Sequence, residues 1–171
     1  MTLSIRAATS ADAETIARVD LEAHIQAYRP LFGEDYLADA TLEATAERWR
    51  RIMNNDASLG QPPTEVLVAE QDGEIIAYSS LGPSRDEDAP NEGEVFTLYV
   101  HPSAWRGRVG GPLFAAAVDR LHEMGFANVS LWVLEVNERA RAFYEAQGWQ
   151  HDGATEPARR RPFINMRYRA P

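Results

Sequence analysis

The sequence contains no cysteine, which excludes disulfide bonds, thiolate nucleophiles and cysteine-ligated metal sites. Histidine is also scarce, and the four present are His24, His101, His122 and His151. Their spacing matches no metal-binding pattern, so we expect no bound metal. Lysine is absent as well, because all 17 basic residues are arginine. We interpret this bias as a property of codon usage rather than of function.

Long hydrophobic runs are missing too. No apolar run approaches the length of a membrane span, and the N-terminus lacks the charged-then-apolar pattern of a secretion signal. We therefore expect a cytoplasmic protein that does not interact with membranes. The hydrophobic content of 44% and the charged content of 25% are typical of a globular protein. A length of 171 residues fits a single domain spanning 1–171.

Positive charge is in deficit over most of the chain. The formal net charge is −9 at pH 7, which argues against a nucleic-acid-binding protein. The charge is uneven, because residues 159–171 contain five arginines and no acidic residue. We interpret Arg159, Arg160 and Arg161 as part of a basic loop exposed to solvent, with contact to a ligand phosphate as the alternative. We interpret the acidic residues 86–88 as a solvated loop, with attraction of a cationic amine as the alternative.

Hydrophobic periodicity and turn residues predict alternating strands and helices. The predicted strands cover residues 3–7, 65–70, 74–81, 94–100, 128–134, 149–153 and 163–169. The predicted helices run from a cap at Thr9 or Ser10 to about 28–30, over about 35–54 with a break near Thr41, from a glycine-rich turn to Met124, and from a cap at Asn137 to Gln147. This order predicts an α/β (α+β) fold, in which a mixed, mostly antiparallel and twisted sheet of about seven strands carries helices on both faces.

The most informative segment joins an apolar strand, Val95–Val100, to a helix through the glycine- and arginine-rich turn Trp105–Gly111. Glycines let the backbone approach an anion closely, and the free N–H groups of a first helical turn donate hydrogen bonds to it. The helix dipole also favours negative charge at this end. The segment therefore predicts a phosphate-bearing ligand. A glycine turn that merely starts a helix is the simpler alternative.

Two motifs in this order resemble those of the GNAT superfamily of acyl-CoA-dependent N-acyltransferases. Trp105–Gly110 aligns with the pyrophosphate motif Gln/Arg-x-x-Gly-x-Gly/Ala, from which Trp105 and Arg108 depart. Asn137–Trp149 matches the segment Asn-x-x-Ala-x-x-Phe-Tyr-x-x-x-Gly-Phe/Trp without departure. The resemblance extends over nearly the whole chain and implies that acetyl-CoA is the cosubstrate.

By resemblance, Asn137 binds the pantetheine arm, Ala140 allows close approach of the cofactor, and Tyr144 protonates the leaving thiolate. A phenol suits this role because its pKa is comparable to that of a thiol. Asn137 as a simple helix cap and Tyr144 as a core residue are the alternatives. The expected cofactor-binding residues are Leu98, Tyr99, Val100, Arg106, Gly107, Arg108, Val109, Gly110, Gly111, Asn137, Ala140 and Tyr144.

Attack on a thioester needs a neutral amine, so a proton acceptor is required. The resemblance implies Glu94, at the start of the strand before the turn, with Glu92 and water as alternatives. The acceptor-binding residues that it implies are Tyr28, Arg29, Phe32 and Tyr36. Arg29 either pairs with a carboxylate of the acceptor or caps the end of a helix.

The implied function is transfer of the acetyl group of acetyl-CoA to a primary amine of a small molecule or peptide. The amine attacks directly, since the absence of cysteine excludes a thiol-based ping-pong route. The alternative is a catalytically inactive acyl-CoA-binding sensor or structural module of the same fold. A dinucleotide-binding domain is not expected, because the glycines lack the Gly-x-Gly-x-x-Gly spacing. The identity of the acceptor and the presence of a homodimer stay open.

Overall fold

The computed structural model describes residues 2–105, 107–160 and 162–170. Two arginines discussed above, Arg106 and Arg161, lie outside these ranges. Within the ranges, the strands are β1 Leu3–Ala7, β2 Glu65–Gln71, β3 Glu74–Pro83, β4 Gly93–Val100, β5 Val129–Leu134, β6 Gln150–Pro157 and β7 Ile164–Arg169. The helices are α1 Ala13–Phe32, α2 Leu42–Met53, α3 Gly110–Glu123 and α4 Glu138–Ala146, and short 3-10 helices span Ser10–Asp12, Ala57–Leu59 and Pro102–Ala104. The order of strands and α-helices is the predicted one.

The structure corrects the prediction for the first two helices. α1 continues through Pro30 to Phe32, because a proline in the last turn of a helix removes just one hydrogen bond. Residues 34–39 form turns rather than the start of a second helix. α2 begins after Thr41, whose hydroxyl accepts a hydrogen bond from the Ala44 N–H at 3.2 Å and thereby caps the helix.

The prediction for β6 was too short. The strand does not stop at Gly153 but continues to Pro157 past an irregular register between His151 and Thr155. Gly153 has a φ of +96° at this irregularity, a conformation that glycine adopts without a steric penalty. Gly153, where the predicted strand ends, is therefore part of a bulge within one longer strand.

The seven strands form one sheet in the order β1-β2-β3-β4-β5-β7-β6, with β4 and β5 as the parallel pair and antiparallel pairing elsewhere. α1 and α2 cover one face, around a cluster that contains Trp49 and Tyr78. α3 and α4 cover the other face, around Leu113, Phe114 and Tyr144. The predicted mixed sheet with helices on both faces is confirmed. Over the described ranges, no helix is long and apolar enough to cross a membrane.

A bulge in β4 opens the sheet next to β5. Over the described lengths of both strands, β4 pairs with β5 from Gly93 to Val95 and no further. Val95 and Leu98 both pack against the cluster beneath α3 and α4 although they are three residues apart. Strict alternation of side chains along β4 would place them on opposite faces of the sheet. The register of β4 shifts where it pairs with Ser80 and Leu81 of β3, and this bulge reverses the alternation. Beyond this bulge the two strands separate.

We expect Gly82→Ala to destabilise the protein, because Gly82 lies beside the bulge. A Cβ at Gly82 would lie 2.4 Å from the backbone oxygen of Pro63 and 3.1 Å from the Phe96 ring. Overpacking of this kind lowers the free energy of unfolding by about 1–3 kcal/mol, which urea denaturation measures. Gly111→Ala is the control, since nothing lies within 4 Å of its Cβ position. Equal stability of the two variants would contradict the prediction.

Candidate active site

Two cavities meet where β4 and β5 separate. The larger has a volume of about 710 Å3 and the smaller one of about 380 Å3. The residues that line both cavities are Leu98, Tyr99, Asn137, Ala140 and Tyr144. All of them belong to the cofactor-binding set predicted from the sequence, and a ligand that crosses the opening would contact them from either side.

The smaller cavity lies at the N-terminus of α3. Its lining also includes Val100, Trp105, Arg108, Val109, Gly110, Gly111, Arg139 and Phe143. The structure therefore brings the predicted cofactor-binding residues together, apart from Gly107, which lines neither cavity, and Arg106, which lies outside the described residues. Because the first N–H groups of a helix have no partner within it, this end of α3 supplies hydrogen-bond donors to the cavity.

Arg108 explains one departure from the pyrophosphate motif. Its φ is +55°, in the left-handed region that glycine adopts freely and that costs other residues about 1–2 kcal/mol. This backbone conformation is the reason that the motif has glycine at the position. Arg108 accepts the strain and places its side chain on the lining of the smaller cavity.

Trp105 and Arg139 account for the other departure. The indole N–H of Trp105 donates to the Val100 carbonyl at 2.7 Å, which fixes the ring against the end of β4. The guanidinium of Arg139 lies 3.6 Å from the centroid of that ring, a cation–π contact. Burial lowers the pKa of Arg139, yet a guanidinium remains charged at neutral pH. A cation thus stands beside the position where the motif has Gln or Arg, and the sequence analysis did not identify it.

Tyr144 lies at the junction of the two cavities. It is 8% exposed, and its ring packs against those of Phe114 and Phe143, with a centroid distance of 5.3 Å in each case. Burial, with Tyr28 nearby, raises the pKa of Tyr144 above its ordinary value, so the hydroxyl is protonated at neutral pH. No described residue forms a hydrogen bond with this hydroxyl, which leaves it available to a ligand.

Asn137 is the N-cap of α4, as the simpler interpretation of the sequence holds. Its Oδ1 accepts a hydrogen bond from the Ala140 N–H at 3.1 Å. Its Nδ2 donates to the hydroxyl of Tyr28 on α1, also at 3.1 Å. An amide nitrogen has two N–H donors, so one of them is left for a ligand in either cavity. Capping and ligand binding are therefore compatible at this residue.

Aromatic rings form one wall of the larger cavity, where the sequence predicts Tyr28, Phe32 and Tyr36. Tyr28 stacks on Phe32 with ring centroids 5.6 Å apart, and Tyr36 approaches Phe32 at 5.1 Å. Burial raises the pKa of Tyr36 to about 12, so its hydroxyl is neutral. Such a wall favours a ligand with an apolar or aromatic body.

Arginines line the larger cavity, but Arg29 is not one of them. Arg159 and Arg160 line this cavity, although the sequence indicated a solvated loop. Arg160 donates to the Phe32 carbonyl at 3.1 Å, and its guanidinium lies 4.9 Å from the Phe32 ring. Arg29 lines neither cavity, and its Nε lies 4.0 Å from the carboxylate of Glu34. Arg29 therefore lies apart from the other predicted acceptor-binding residues, and its role stays a prediction.

Glu94 is fully buried and held by Arg85. Its carboxylate accepts hydrogen bonds from the Arg85 backbone N–H at 3.0 Å and from the guanidinium Nε at 3.1 Å. Arg85 lines the larger cavity, whereas Glu94 lines neither cavity. Glu92 accepts a hydrogen bond from Arg169 at 2.5 Å and also lines neither. The role of Glu94 as proton acceptor stays a prediction, without a direct contact with the cavities to support it.

His24 is a cavity residue that the sequence analysis missed. It lines the larger cavity, and its Nδ1 lies 2.8 Å from Oδ1 of Asp20. The signal in the sequence is weak, because it consists of an acid and a histidine four residues apart, which share one face of a helix. Neither His24 nor any other described residue belongs to a group of three or more His, Asp or Glu side chains that could hold a metal ion.

A sequence profile of the Acetyltransferase (GNAT) family matches residues 23–149. The chain is 26% identical over 145 residues to the uncharacterized N-acetyltransferase YuaI of Bacillus subtilis, and the match covers 84% of this chain and 78% of that protein. It is 35% identical over 136 residues to a mycothiol acetyltransferase of Sanguibacter keddieii, a match that covers 73% of this chain but 42% of that longer protein.

Solved structures share the fold. The PaiA N-acetyltransferase of Thermoplasma acidophilum, in complex with coenzyme A, has a TM-score of 0.77 at 20% identity, with 98% of each chain covered. YncA of Salmonella typhimurium, solved with acetyl-CoA, has a TM-score of 0.68 at 19% identity, with 99% of this chain and 93% of that chain covered. The family profile spans both motifs and the residues shared by the two cavities. The chain therefore belongs to the GNAT family of acetyltransferases, and it is an acyltransferase.

Proposed function

We propose that this acyltransferase moves the acetyl group of acetyl-CoA to a primary amine of a small molecule or peptide by direct attack. The observation that carries the proposal is that two cavities meet at Tyr144, where β4 and β5 have separated. One cavity holds the cosubstrate and the other the acceptor, so that the thioester lies at the junction. A catalytically inactive acyl-CoA-binding module of the same fold would need no acceptor cavity.

The smaller cavity suits acetyl-CoA at both of its ends. The N-terminus of α3, together with Arg108 and Arg139, supplies N–H donors and positive charge for the phosphates. Beyond Val95, β4 no longer pairs with β5, so the backbone near Leu98 and Tyr99 has room for the extended, amide-bearing pantetheine arm. The complexes of PaiA with coenzyme A and of YncA with acetyl-CoA support this ligand.

Acetyl transfer forms one C–N bond and breaks one C–S bond. The neutral amine attacks the thioester carbonyl, and the tetrahedral intermediate collapses as the CoA thiolate leaves. We assign Tyr144 as the acid that protonates this thiolate, because its hydroxyl is protonated, lies at the junction and is bonded to no described residue. The nitrogen releases a proton as the amide forms, which restores the Tyr144 hydroxyl directly or through water.

The walls of the larger cavity favour a class of acceptor. Tyr28, Phe32 and Tyr36 present aromatic surface on α1 and just beyond it. An amine attached to an aromatic or apolar body would bury that body against these rings and direct its nitrogen toward Tyr144. 2-Phenylethylamine is a simple acceptor with these properties.

Acetyl-CoA should raise the melting temperature of the protein, since binding to the folded state stabilises it by about 2.7 kcal/mol at 100-fold excess over Kd. Gly110→Val should abolish this increase, because its side chain would extend from a position 3.4 Å from the Phe143 ring into the cavity. Differential scanning fluorimetry with and without acetyl-CoA measures both effects. Ala115→Val, on the exposed side of the same helix, should keep the increase. An increase retained by Gly110→Val would contradict the phosphate site.

The wild-type protein should release free CoA from acetyl-CoA in the presence of 2-phenylethylamine. Tyr144→Phe should lower kcat about 100-fold or more, the range in which general acids contribute. Its melting-temperature increase with acetyl-CoA should be unchanged. A thiol-reactive dye measures the free CoA.

Tyr168→Phe is the control for the Tyr144 variant. Its hydroxyl donates to Glu145 at 2.9 Å and lines neither cavity. Its loss should lower the free energy of unfolding by about 1 kcal/mol and leave kcat unchanged. Wild-type kcat in Tyr144→Phe would refute the acid assignment. Wild-type protein that binds acetyl-CoA but releases no CoA with a panel of primary amines would favour the inactive module.

Arg108→Gly should change stability and affinity in opposite directions. Relief of the left-handed strain should raise the free energy of unfolding of the ligand-free protein by about 1 kcal/mol. Loss of the guanidinium should weaken acetyl-CoA binding about tenfold, the equivalent of about 1.4 kcal/mol, as isothermal titration calorimetry measures. Arg139→Gln should weaken binding without the gain in stability. Unchanged affinity in both variants would show that neither arginine contacts the phosphates.

A further inference from the structure

Asp20 and His24 form a hydrogen-bonded pair on α1 beside the larger cavity. Nδ1 of His24 lies 2.8 Å from Oδ1 of Asp20 and 2.9 Å from the Asp20 carbonyl oxygen. Two further donors fix the carboxylate: the Tyr78 hydroxyl donates to Oδ1 at 2.6 Å, and the Trp49 indole N–H donates to Oδ2 at 3.0 Å. Side chains from α1, α2 and β3 therefore hold the Asp20 carboxylate in one position.

The carboxylate of Asp20 fixes the tautomer of His24. Asp20 is 8% exposed. Burial raises its pKa, but the interaction with His24 and the hydrogen bonds from Tyr78 and Trp49 outweigh burial, so that the pKa lies below its usual value. An ionised Asp20 keeps the proton of the neutral imidazole on Nδ1. The other ring nitrogen, Nε2, then carries a lone pair.

The Nε2 atom of His24 is free to meet a ligand. The side chain is 25% exposed and lines the larger cavity, and no described residue forms a hydrogen bond with Nε2. The ring lies 4.2 Å from the ring of Tyr99, which lines both cavities. The described titratable groups that contact the His24 ring are Asp20 and Tyr28 on α1 and Tyr99 on β4. Tyr78 on β3 contacts Asp20, and Arg48 on α2 acts electrostatically on Tyr78. Among the groups that contact the ring the ionised one is Asp20, and its charge is negative.

We propose that His24 is the general base of acetyl transfer and that Asp20 positions it, an inference that rests on the proposed function. Nε2 takes one proton from the ammonium of the acceptor, and the imidazolium pairs with Asp20. The neutral amine forms the C–N bond, the C–S bond breaks, and the thiolate takes the proton of Tyr144. The nitrogen gives its second proton to the tyrosinate. One proton is released overall, from His24 to solvent.

His24 meets a requirement that Glu94 does not. A general base must come within hydrogen-bonding reach of the proton that it removes. His24 lines the acceptor cavity, whereas the Glu94 carboxylate is buried behind Arg85 and accepts its hydrogen bonds. Glu94 is therefore the matched competitor in the experiment.

Two acceptors with different protonation states test the assignment. 2-Phenylethylamine is an ammonium ion at neutral pH and needs a base, whereas O-benzylhydroxylamine is already neutral and does not. We expect His24→Gln to lower kcat/KM about 100-fold with 2-phenylethylamine and less than about threefold with O-benzylhydroxylamine. The loss with 2-phenylethylamine should shrink as the pH rises, because more of the amine is then neutral in solution.

Two further variants separate a base from a structural residue. His122→Gln is the matched control, since His122 lies on α3, lines neither cavity and should be replaceable without effect on either rate. Asp20→Asn should lower kcat/KM with 2-phenylethylamine more than with O-benzylhydroxylamine. Nitrogen NMR should find the His24 proton on Nδ1 in the wild type and a mixture of tautomers in Asp20→Asn, a measurement that does not depend on turnover.

Equal losses with both acceptors in His24→Gln, or wild-type rates with both, overturn the proposal. A loss confined to 2-phenylethylamine that appears in Glu94→Gln and not in His24→Gln assigns the base to Glu94 and overturns it as well. Wild-type protein that binds acetyl-CoA and releases no CoA with either acceptor or with the panel of primary amines overturns the proposed function, and the inference with it.

Discussion

The short parallel pairing of β4 with β5 is the constraint on which the rest of the site depends. These strands are in register at three positions, whereas every other neighbouring pair of strands is in register at five or more. The sheet is a single layer between two pairs of helices. A gap between two of its strands therefore brings α1 and α4, which belong to opposite faces, to the same ligand space. Longer pairing would fill that space with backbone.

Most arginines that line the cavities have no described carboxylate partner, although the chain as a whole is acidic. Most arginines elsewhere form ion pairs, as Arg167 does with three aspartates. Among the described arginines that line the cavities, Arg85 is paired with Glu94. The other four, Arg108, Arg139, Arg159 and Arg160, form no ion pair with any described acidic residue. Their positive potential is thus directed at a ligand rather than neutralised within the fold. The net charge of −9 conceals this local excess.

The sequence predicts local geometry well here and long-range geometry poorly. Asp72-Gly73 joins β2 to β3 with φ values of +52° and +89°, as its turn chemistry requires, and Asn137 caps α4 as a cap residue should. The surroundings of Glu94 could not be derived, because the bulge in β4 resets the alternation of the strand just beyond this residue. The position of His24 beside a cavity could not be derived either. Its acidic partner is near in sequence, but the cavity wall beside it comes from strands far along the chain.

Asn137 joins the two helices that flank the opening. Its amide group caps α4 and donates to the Tyr28 hydroxyl, which lies 3.4 Å from the hydroxyl of Tyr99. Asn137 lines both cavities and Tyr28 lines the larger one. A ligand that accepts the second N–H of Asn137 would therefore bind to the same amide group that orients the Tyr28 hydroxyl. Any shift of this amide would reach both cavities. Because such coupling is reciprocal, each occupant would change the affinity for the other by the same factor, whichever of them binds first.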